Sequence, residues 1–314
     1  MMENQEKLEG KYVIAIGAAA VDEYYSAEHW PQEGSKELVK YQTDMIGGMI
    51  PNAACVFAGY GVETYILDTL KAGSAKTDLM LEDFKAHGLK TDLIRYDENI
   101  PDARTVIVRT PREKTILVVD PEKPEIEITG EEMEVFNRAA CVYTSPMEFK
   151  RIRNWEKAAA EWKKHHVKIV FDIEASTVEG CSRELIYKGD ILFFNEFGFE
   201  KIKGERTVKE ALSEMFDSGV EIVTVTMGEK GSYTATRNET CRVNALKDQQ
   251  IVDTTGAGDT FNSSFVTYLL LGKSLKETAE FANAAGGYSI TRLGPKGGVN
   301  DLAFIEKIAQ EYYS

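Results

Sequence analysis

The chain has 314 residues, 43% of them hydrophobic and 28% charged, with only 8 prolines, so a disordered, collagen-like or proline-rich protein is excluded. Its 37 basic and 51 acidic residues give a net charge of −14, which argues against a nucleic-acid-binding surface. The four cysteines are far apart and the longest early apolar run, residues 13–21, is too short to cross a membrane, so we expect a cytoplasmic protein with reduced thiols and no membrane partner.

Short β-branched or aromatic runs alternate with longer amphipathic segments along most of the chain. In chain order, we predict a strand at 12–16, a helix at 52–59, a strand at 64–67, helices at 78–86 and 155–166, strands at 167–171 and 191–194, a helix at 207–218 and a strand at 222–226. A further helix is predicted from Leu275, because Ser274 and Glu277 have the spacing of a capping box. This alternation predicts an α/β fold with a Rossmann-like, mostly parallel sheet flanked by helices.

Two segments do not fit the alternation. Residues 105–109 and 115–119 have the composition of strands and are joined by five residues that include Pro111, which predicts an antiparallel hairpin. The polar stretch 23–44, just after the first strand, is equally hard to place in a parallel sheet.

We expect these segments to form a small β-flap, or lid, from about residues 23–46 and 100–122. The lid would cover one edge of a single domain spanning residues 1–314, since the chain has no repeat, linker or abrupt change in composition. A free strand edge on the lid could pair with a second copy of the chain, which predicts a homodimer through the lid.

The most informative stretch is residues 253–261, which read Asp-Thr-Thr-Gly-Ala-Gly-Asp-Thr-Phe. The strand-like Ile251 and Val252 precede it, and a helix is predicted to begin near Gly258. The amides of residues 256–258 would point at one spot with the positive end of the helix dipole behind them, which makes an anion site. Asp259 could accept a proton from a hydroxyl while this site stabilises a transferring phosphoryl group. Glycines and an aspartate are also common as simple helix capping, so the motif alone leaves both interpretations open.

The whole run resembles the second signature of the ribokinase-like (PfkB) family of sugar and nucleoside kinases. The resemblance implies that Asp259 is the general base for the hydroxyl that accepts the phosphate. It also implies that Gly256, Ala257 and Gly258 form the anion hole, and that the second substrate is ATP.

Other positions match the same family in order and spacing along nearly the whole chain. The resemblance implies one group of residues that binds the sugar and another that binds the nucleotide. The first group is Asp22, Gly47, Gly48 and Asn52, and the second is Asn195, Thr226, Gly228, Lys230 and Asn283.

Three positions depart from the family pattern. Gly198 stands where the family's N-x-x-E motif has the glutamate that holds Mg²⁺ through water. Glu196 or Glu200 could replace it by a shift of the loop, or Asp253 and Asp259 could carry more of the magnesium water shell. The other departures are larger or more polar residues at positions that are usually small. These are Ile50, which we expect to narrow the sugar site, and Ser263 and Ser264.

The resemblance further implies a monovalent cation such as K⁺ near Asp253 and Thr255, which would tighten the anion-hole turn. For the acceptor, an aspartate at position 22 favours a neutral sugar over an anionic one. Arg104 could instead bind a carboxylate or phosphate of the substrate, although its ordinary state is a solvated surface charge.

We therefore predict ATP-dependent transfer of a phosphoryl group to a primary hydroxyl of a sugar or sugar derivative, with Mg²⁺ bridging the phosphates. A nucleoside kinase and a catalytically weak family member that acts as a ligand-binding subunit are the alternatives. The sequence Gly272-Lys273-Ser274 is not a P-loop, because Thr267 stands where that motif needs glycine. No G-x-G-x-x-G follows the first strand, which disfavours a nicotinamide dehydrogenase.

Overall fold

The computed structural model describes residues 2–120 and 122–313, without the side chains of Met2, Glu3 and Gln5. The strands are β1 (Tyr12–Ile16), β2 (Ala20–Ser26), β3 (Lys40–Gly47), β4 (Glu63–Leu67), β5 (Thr69–Lys71), β6 (Arg95–Asp97), β7 (Arg104–Arg109), β8 (Lys114–Val119), β9 (Cys141–Thr144), β10 (Lys168–Ile173), β11 (Ile191–Asn195), β12 (Ile222–Thr226), β13 (Ser232–Ala235) and β14 (Thr240–Val243). The helices are α1 (Met2–Leu8), α2 (Met49–Gly59), α3 (Ala75–Ala86), α4 (Gly130–Phe136), α5 (Pro146–Lys150), α6 (Trp155–Lys164), α7 (Ala175–Gly180), α8 (Arg183–Ile186), α9 (Glu196–Lys203), α10 (Val208–Asp217), α11 (Ala257–Leu270), α12 (Leu275–Ser289) and α13 (Leu302–Tyr313). Among these described helices, none combines the length and the apolar character that a membrane span requires.

The main sheet has eight strands in the order β14-β13-β12-β11-β10-β9-β1-β4. The strands from β12 to β4 run parallel to their neighbours, whereas β13 and β14 are antiparallel at one edge. The predicted α/β fold with a mostly parallel sheet is confirmed. The helices predicted near residues 52, 78, 155, 207 and 275 are all present, and the capping box of Ser274 and Glu277 forms at the start of α12.

Helices cover both faces of this sheet, so the protein has two apolar cores. Val13 and Ala15 of β1 pack into one core, and Ile14 and Ile16 pack into the other, because successive side chains of a strand point to opposite faces. The first core contains side chains of α2, α11 and α12, and the second contains Trp162 of α6. These four side chains of β1 are almost completely buried.

A second sheet of four strands stands apart from the main one, in the order β3-β2-β7-β8. Strands β7 and β8 form the predicted antiparallel hairpin, β3 is antiparallel to β2, and β2 is parallel to β7. This lid sheet therefore unites the two segments expected at 23–46 and 100–122, of which Pro121 lies outside the described residues.

The expected strand character of Ile251 and Val252 is wrong. Both residues are exposed and belong to no strand, so the anion-hole turn is reached through a loop. The apolar run 13–21 divides between β1 and β2 at residues 17–19. A Cβ at Gly17 would overlap the buried side chain of Ile50, which shows that Ile50 fills a gap beside the backbone at this break.

A buried ion pair fixes the chain where it leaves the lid. Lys123 Nζ lies 2.6 and 2.7 Å from the two carboxylate oxygens of Asp68, and both side chains are at most 2% exposed. The same carboxylate accepts hydrogen bonds from the amides of Ala19 and Thr69. The pair thus joins the end of the lid hairpin to the ends of β4 and β1.

We expect Lys123→Met to lower the free energy of unfolding by about 2–3 kcal/mol, because it leaves a buried charge without its counterion. The amides of Ala19 and Thr69 still donate to Asp68 in this variant, so the loss stays below the largest values known for such changes. Chemical denaturation measures the free energy of unfolding. The matched control is Lys168→Met, since Lys168 forms an exposed ion pair with Glu221, whose removal costs about 0–1 kcal/mol. Equal losses in the two variants would contradict the prediction.

Candidate active site

The predicted site residues gather at the carboxyl ends of the parallel strands. Asn195 ends β11 and Thr226 ends β12. The turn before α11 faces the same edge, and Asn52 reaches it from α2. In open α/β sheets this edge is where ligands bind.

The turn at residues 256–258 has the geometry of an anion site. Gly256 adopts a φ of 79°, and a Cβ there would overlap the carbonyl oxygen of Pro295, so only glycine fits. Among the described residues the amides of Gly256 and Gly258 have no hydrogen-bond acceptor, and the Ala257 amide has only a long 3.4 Å contact to the carbonyl oxygen of Thr254. These donors stand at the positive end of α11 and are available to a ligand.

Asp259 lies in the first turn of α11, beside these amides. Its Oδ2 accepts a hydrogen bond of 2.8 Å from Asn52 Nδ2. Burial raises the pKa of the Asp259 carboxyl well above its usual range, and the negative charges of Asp172 and Glu174 raise it further. A raised pKa makes a carboxylate a stronger proton acceptor, as a general base requires.

Asp172 is a functional candidate that the sequence interpretation missed. It is buried, and its Oδ2 accepts a 2.8 Å hydrogen bond from the hydroxyl of Tyr143, which is itself fully buried. Burial raises the pKa of Asp172 in spite of hydrogen bonds from Tyr143 and Asn262. The sequence does contain a signal for it, because an aspartate near the end of an apolar strand is expected at the edge of the sheet where ligands bind.

The predicted sugar-binding residues lie together. The Asp22 carboxylate packs against Gly47, where a Cβ would overlap it, and Gly48 has a φ of 113° next to the backbone of Ala18. Asn52 is buried, and its Oδ1 has no hydrogen-bond partner among the described residues. A buried polar atom without a partner is unusual, so this oxygen is available to a ligand hydroxyl.

Tyr24 is a second residue that the sequence interpretation missed. Its ring is buried on the lid strand β2, and its hydroxyl also lacks a partner among the described residues. Burial raises its pKa to about 12, and the charges of Asp22 and Asp253 contribute to the rise. The hydroxyl therefore lies within electrostatic reach of both the sugar side and the anion-hole side of the site.

Asp22 makes the stability of the free protein depend on pH. Burial raises its pKa to about 6, and a hydrogen bond from Thr105 and the charge of Lys296 only partly oppose this. The folded state therefore binds the proton more tightly than the unfolded state, and ionisation of Asp22 above about pH 6 costs stability.

We expect Asp22→Asn to raise the free energy of unfolding by up to about 3 kcal/mol above pH 6, and by nothing below about pH 4. Denaturation of the two proteins without ligands across this pH range measures the difference. Asp44→Asn is the control, because Asp44 is an exposed aspartate on the adjacent strand of the same sheet. A stability difference that does not vary with pH would contradict the assignment.

Arg104 forms an ion pair with Glu23 on the lid. Its NH1 lies 3.8 Å from Glu23 Oε2, and Glu23 also binds Lys76. Neighbouring residues of a strand point to opposite faces, so Glu23 projects away from the face that carries Asp22. The placement therefore does not support the predicted contact of Arg104 with the substrate.

A cavity of about 360 Å³ lies on the other side of the anion-hole turn. Thr226, Gly228 and Asn283 line it, as does Gly258, and most of its remaining lining is apolar. Asn283 Nδ2 donates to Ser232 Oγ at 2.7 Å and to the Ala279 carbonyl at 2.8 Å, which fixes its side chain at the cavity wall. The cavity is thus open to the free amide of Gly258.

Two other predicted nucleotide residues do not line this cavity. Asn195 caps α9, since its Oδ1 accepts from the Gly198 amide at 2.7 Å. Lys230 Nζ donates to Glu196 at 3.1 Å, so Glu196 is engaged in an exposed ion pair. Gly198 itself lies close to the backbone of Glu174, the residue whose charge acts on Asp259.

Asp253 connects the anion-hole loop to its surroundings. Its Oδ1 accepts from the amide and the hydroxyl of Thr255, at 3.0 and 2.7 Å, and its Oδ2 accepts from the Gly294 amide at 3.2 Å. Two lid residues approach the same group, because Arg109 NH2 lies 3.1 Å from Oδ2 and Lys114 Nζ lies 3.8 Å from Oδ1. Burial alone would raise the pKa of Asp253, but the hydrogen bonds from Thr255 and Gly294 and the charge of Lys114 together lower it.

Free helix amides beside a carboxylate of raised pKa, between a cavity and a lid, are the features of an enzyme that transfers phosphoryl groups to a hydroxyl. The chain matches the model of the pfkB family of carbohydrate kinases over residues 11–301, and it belongs to that family. The suspected resemblance is therefore confirmed.

Relatives of known name agree with this assignment. The chain is 27% identical to ribokinase from Arabidopsis thaliana over 290 residues, which cover 88% of this chain and 76% of that protein. It is 36% identical to an ATP-dependent 6-phosphofructokinase from Thermoanaerobacterium thermosaccharolyticum and 35% identical to ribokinase from Haemophilus influenzae. These two alignments cover 41% and 48% of this chain, and only 39% and 51% of the relatives.

Solved structures show the same fold. Arabidopsis thaliana ribokinase complexed with ribose and ATP superposes with a TM-score of 0.81 at 26% identity, over 96% of this chain and 99% of that one. A nucleoside kinase from Methanocaldococcus jannaschii gives a TM-score of 0.77 at 16% identity, over 96% and 99%.

Proposed function

We propose that the protein transfers the γ-phosphoryl group of ATP to a hydroxyl, preferably a primary one, of a sugar or sugar derivative. The observation that carries the proposal is the position of Asp259 directly beside the unpaired amides of Gly256 and Gly258. The relatives named as ribokinases, one of them described with ribose and ATP, support the class of substrate.

In this reaction the acceptor hydroxyl is held by Asn52, Asp22 and Tyr24, and Asp259 takes its proton. The hydroxyl oxygen forms a bond to the γ-phosphorus as the bond from that phosphorus to the bridging oxygen of ADP breaks. The amides at 256–258 stabilise the charge on the transferred group. The products are the phosphorylated sugar and ADP, and Asp259 later releases its proton to water.

ATP would occupy the cavity beside Gly258, with Thr226, Gly228 and Asn283 at its wall. Lys230 and Asn195 would act from the rim of this region rather than from its lining.

Mg²⁺ fits the carboxylates near Asp259, since carboxylate oxygens suit this ion and it keeps several waters. Asp172 and Glu174 would hold it, because their charges act on Asp259, whereas Glu196 is engaged by Lys230. When bound, the ion neutralises charge on the phosphates. Glu174 would thus take over the role of the glutamate absent at position 198.

The side-chain oxygens of Asp253 and Thr255 do not fit a monovalent cation such as K⁺. Lys114 Nζ donates to Thr255 Oγ1 at 2.6 Å, and both Lys114 and Arg109 approach the Asp253 carboxylate. The oxygens that would bind the ion already face two positive groups.

The acceptor is proposed to be neutral, because the buried Asp22 carboxylate disfavours an anionic group beside it. A nucleoside is the second candidate, since a nucleoside kinase shares the fold. A sugar phosphate is the third, since a 6-phosphofructokinase is among the partial relatives.

The experiment is a screen for ADP formation from ATP and Mg²⁺ with sugars, sugar phosphates, acid sugars and nucleosides as acceptors. We expect turnover with at least one neutral sugar, and mass spectrometry should find one added phosphoryl group. Specific acceptor binding without turnover on any acceptor would instead favour the alternative of a ligand-binding subunit.

We further propose that the protein acts in the cytoplasm, where ATP is available, and that it forms a homodimer through the lid. Ile116, Leu117 and Val118 on the lid strand β8 are exposed, and β8 is at the edge of its sheet. Exposed apolar edge strands favour pairing with another chain. A monomer in light scattering at working concentrations would contradict the homodimer.

A further inference from the structure

The tip of the lid hairpin contacts the loop that forms the anion hole. Lys114, the first residue of β8, donates from Nζ to Thr255 Oγ1 at 2.6 Å and lies 3.8 Å from Asp253 Oδ1. Arg109, the last residue of β7, approaches the other carboxylate oxygen at 3.1 Å. Arg109 and Lys114 are paired across the two strands of the hairpin, so both lie on one face of it, and both approach the same carboxylate.

These contacts differ from ordinary surface ion pairs. The Asp253 side chain is only 3% exposed, whereas those of Arg109 and Lys114 are 40% and 34% exposed. A carboxylate removed from water in this way needs nearby positive charge or several hydrogen bonds. The two lid residues supply that charge from outside the loop.

Both carboxylate oxygens of Asp253 form hydrogen bonds that hold the anion-hole turn in place. One oxygen binds Thr255, which directly precedes Gly256, and the other binds the amide of Gly294. The neighbouring Pro295 carbonyl packs against Gly256 closely enough to exclude a side chain there. A change in the charge or position of Asp253 is therefore transmitted to both sides of the turn.

We infer that Lys114 and Arg109 are positioning residues that act as a built-in cation for the anion-hole loop, so that the enzyme needs no monovalent metal ion. One carboxylate faced by two cations already has an excess of positive charge, and a third cation would be repelled. The lid hairpin then has two roles, since it would cover the acceptor and it also completes the charge balance of the anion-hole turn.

The first test measures cation binding without turnover, and it is independent of the proposed function. The thermal unfolding midpoint of the full chain is recorded in KCl and in choline chloride at equal ionic strength. We expect no difference for the natural protein and a higher midpoint in KCl for Lys114→Met, because that variant leaves the Asp253 and Thr255 oxygens open. Arg112→Met is the matched control, since Arg112 is an exposed arginine of the same hairpin tip.

The second test rests on the proposed phosphoryl transfer. We expect Lys114→Met to lower kcat by about 10- to 100-fold, the effect of losing one charge-assisted hydrogen bond, and KCl to restore part of it. Lys114→Arg should retain most activity without K⁺, and Arg112→Met should behave as the natural protein does. A K⁺ response in the natural protein, or the lack of one in Lys114→Met, overturns the inference. Failure to find any acceptor removes only the kinetic test.

Discussion

Replacement of Asp259 by Asn is expected to lower kcat by about 10²- to 10⁴-fold, the usual contribution of a positioned general base, with little change in ATP affinity. An amide cannot take the proton of the acceptor hydroxyl. The amides at 256–258 are backbone groups and remain in place, so the phosphate site is kept. Steady-state kinetics with the best acceptor and a separate ATP titration measure the two quantities.

The substitution is expected to leave the fold intact. An asparagine has the same shape, and its Oδ1 can accept the hydrogen bond that Asn52 Nδ2 now donates to Asp259. Because burial and the charges of Asp172 and Glu174 raise the pKa of Asp259, its ionised form costs stability, and the neutral amide removes that cost. A loss of activity in this variant would therefore not result from unfolding.

Asp190→Asn provides a matched control. Asp190 is a partly buried aspartate whose pKa is also raised by burial, and its Oδ2 accepts from the Ile169 amide. It precedes β11 and so lies at the opposite edge of the sheet from Asp259. We expect the control to keep its kcat. Full activity in Asp259→Asn would remove the general base from the proposed mechanism.

The sequence predicts those parts of the site that are contiguous in the chain. The turn at 256–258 and Asp259 follow one another within a single loop and helix start, so local rules for glycine turns and helix amides apply. The hairpin of β7 and β8 was predictable for the same reason, since a short connection with proline separates two apolar runs.

Contacts between distant segments were not predictable. Arg109 and Asp253 are 144 positions apart, and Lys114 and Thr255 are 141 apart, so only the packing of the lid on the main sheet brings them together. The same holds for Tyr143 and Asp172, which meet because β9 and β10 are neighbours. Composition and spacing carry no information about such pairs.

Strand geometry determines which of the two arginines on β7 faces the anion-hole loop. Arg104 and Arg109 lie on the same strand, five positions apart, and both are basic and partly exposed. An odd separation places them on opposite faces, one towards Glu23 and the other towards Asp253. Without the register of β7 against β2, the sequence could not indicate which of them faces the anion hole.

Substitution of the two glycines of the anion hole should change the stability of the protein in opposite directions. We expect Gly256→Val to destabilise the protein by about 2–6 kcal/mol, because a side chain at a φ of 79° is strained and would overlap the Pro295 carbonyl. The displaced loop should also lose ATP affinity. Chemical denaturation and nucleotide titration measure the two effects.

Gly258→Ala separates ligand binding from stability. Nothing lies within 4 Å of a Cβ at this position, so the methyl group fits the fold and should add helix stability of up to about 1 kcal/mol. The same methyl group lies at the cavity beside the free amides, where the nucleotide phosphates are proposed to bind. We expect ATP affinity to fall by about tenfold, as for the loss of one charge-assisted hydrogen bond, while the unfolding midpoint stays equal or rises. Unchanged ATP affinity in a stable Gly258→Ala protein would show that the phosphates bind elsewhere than at this turn.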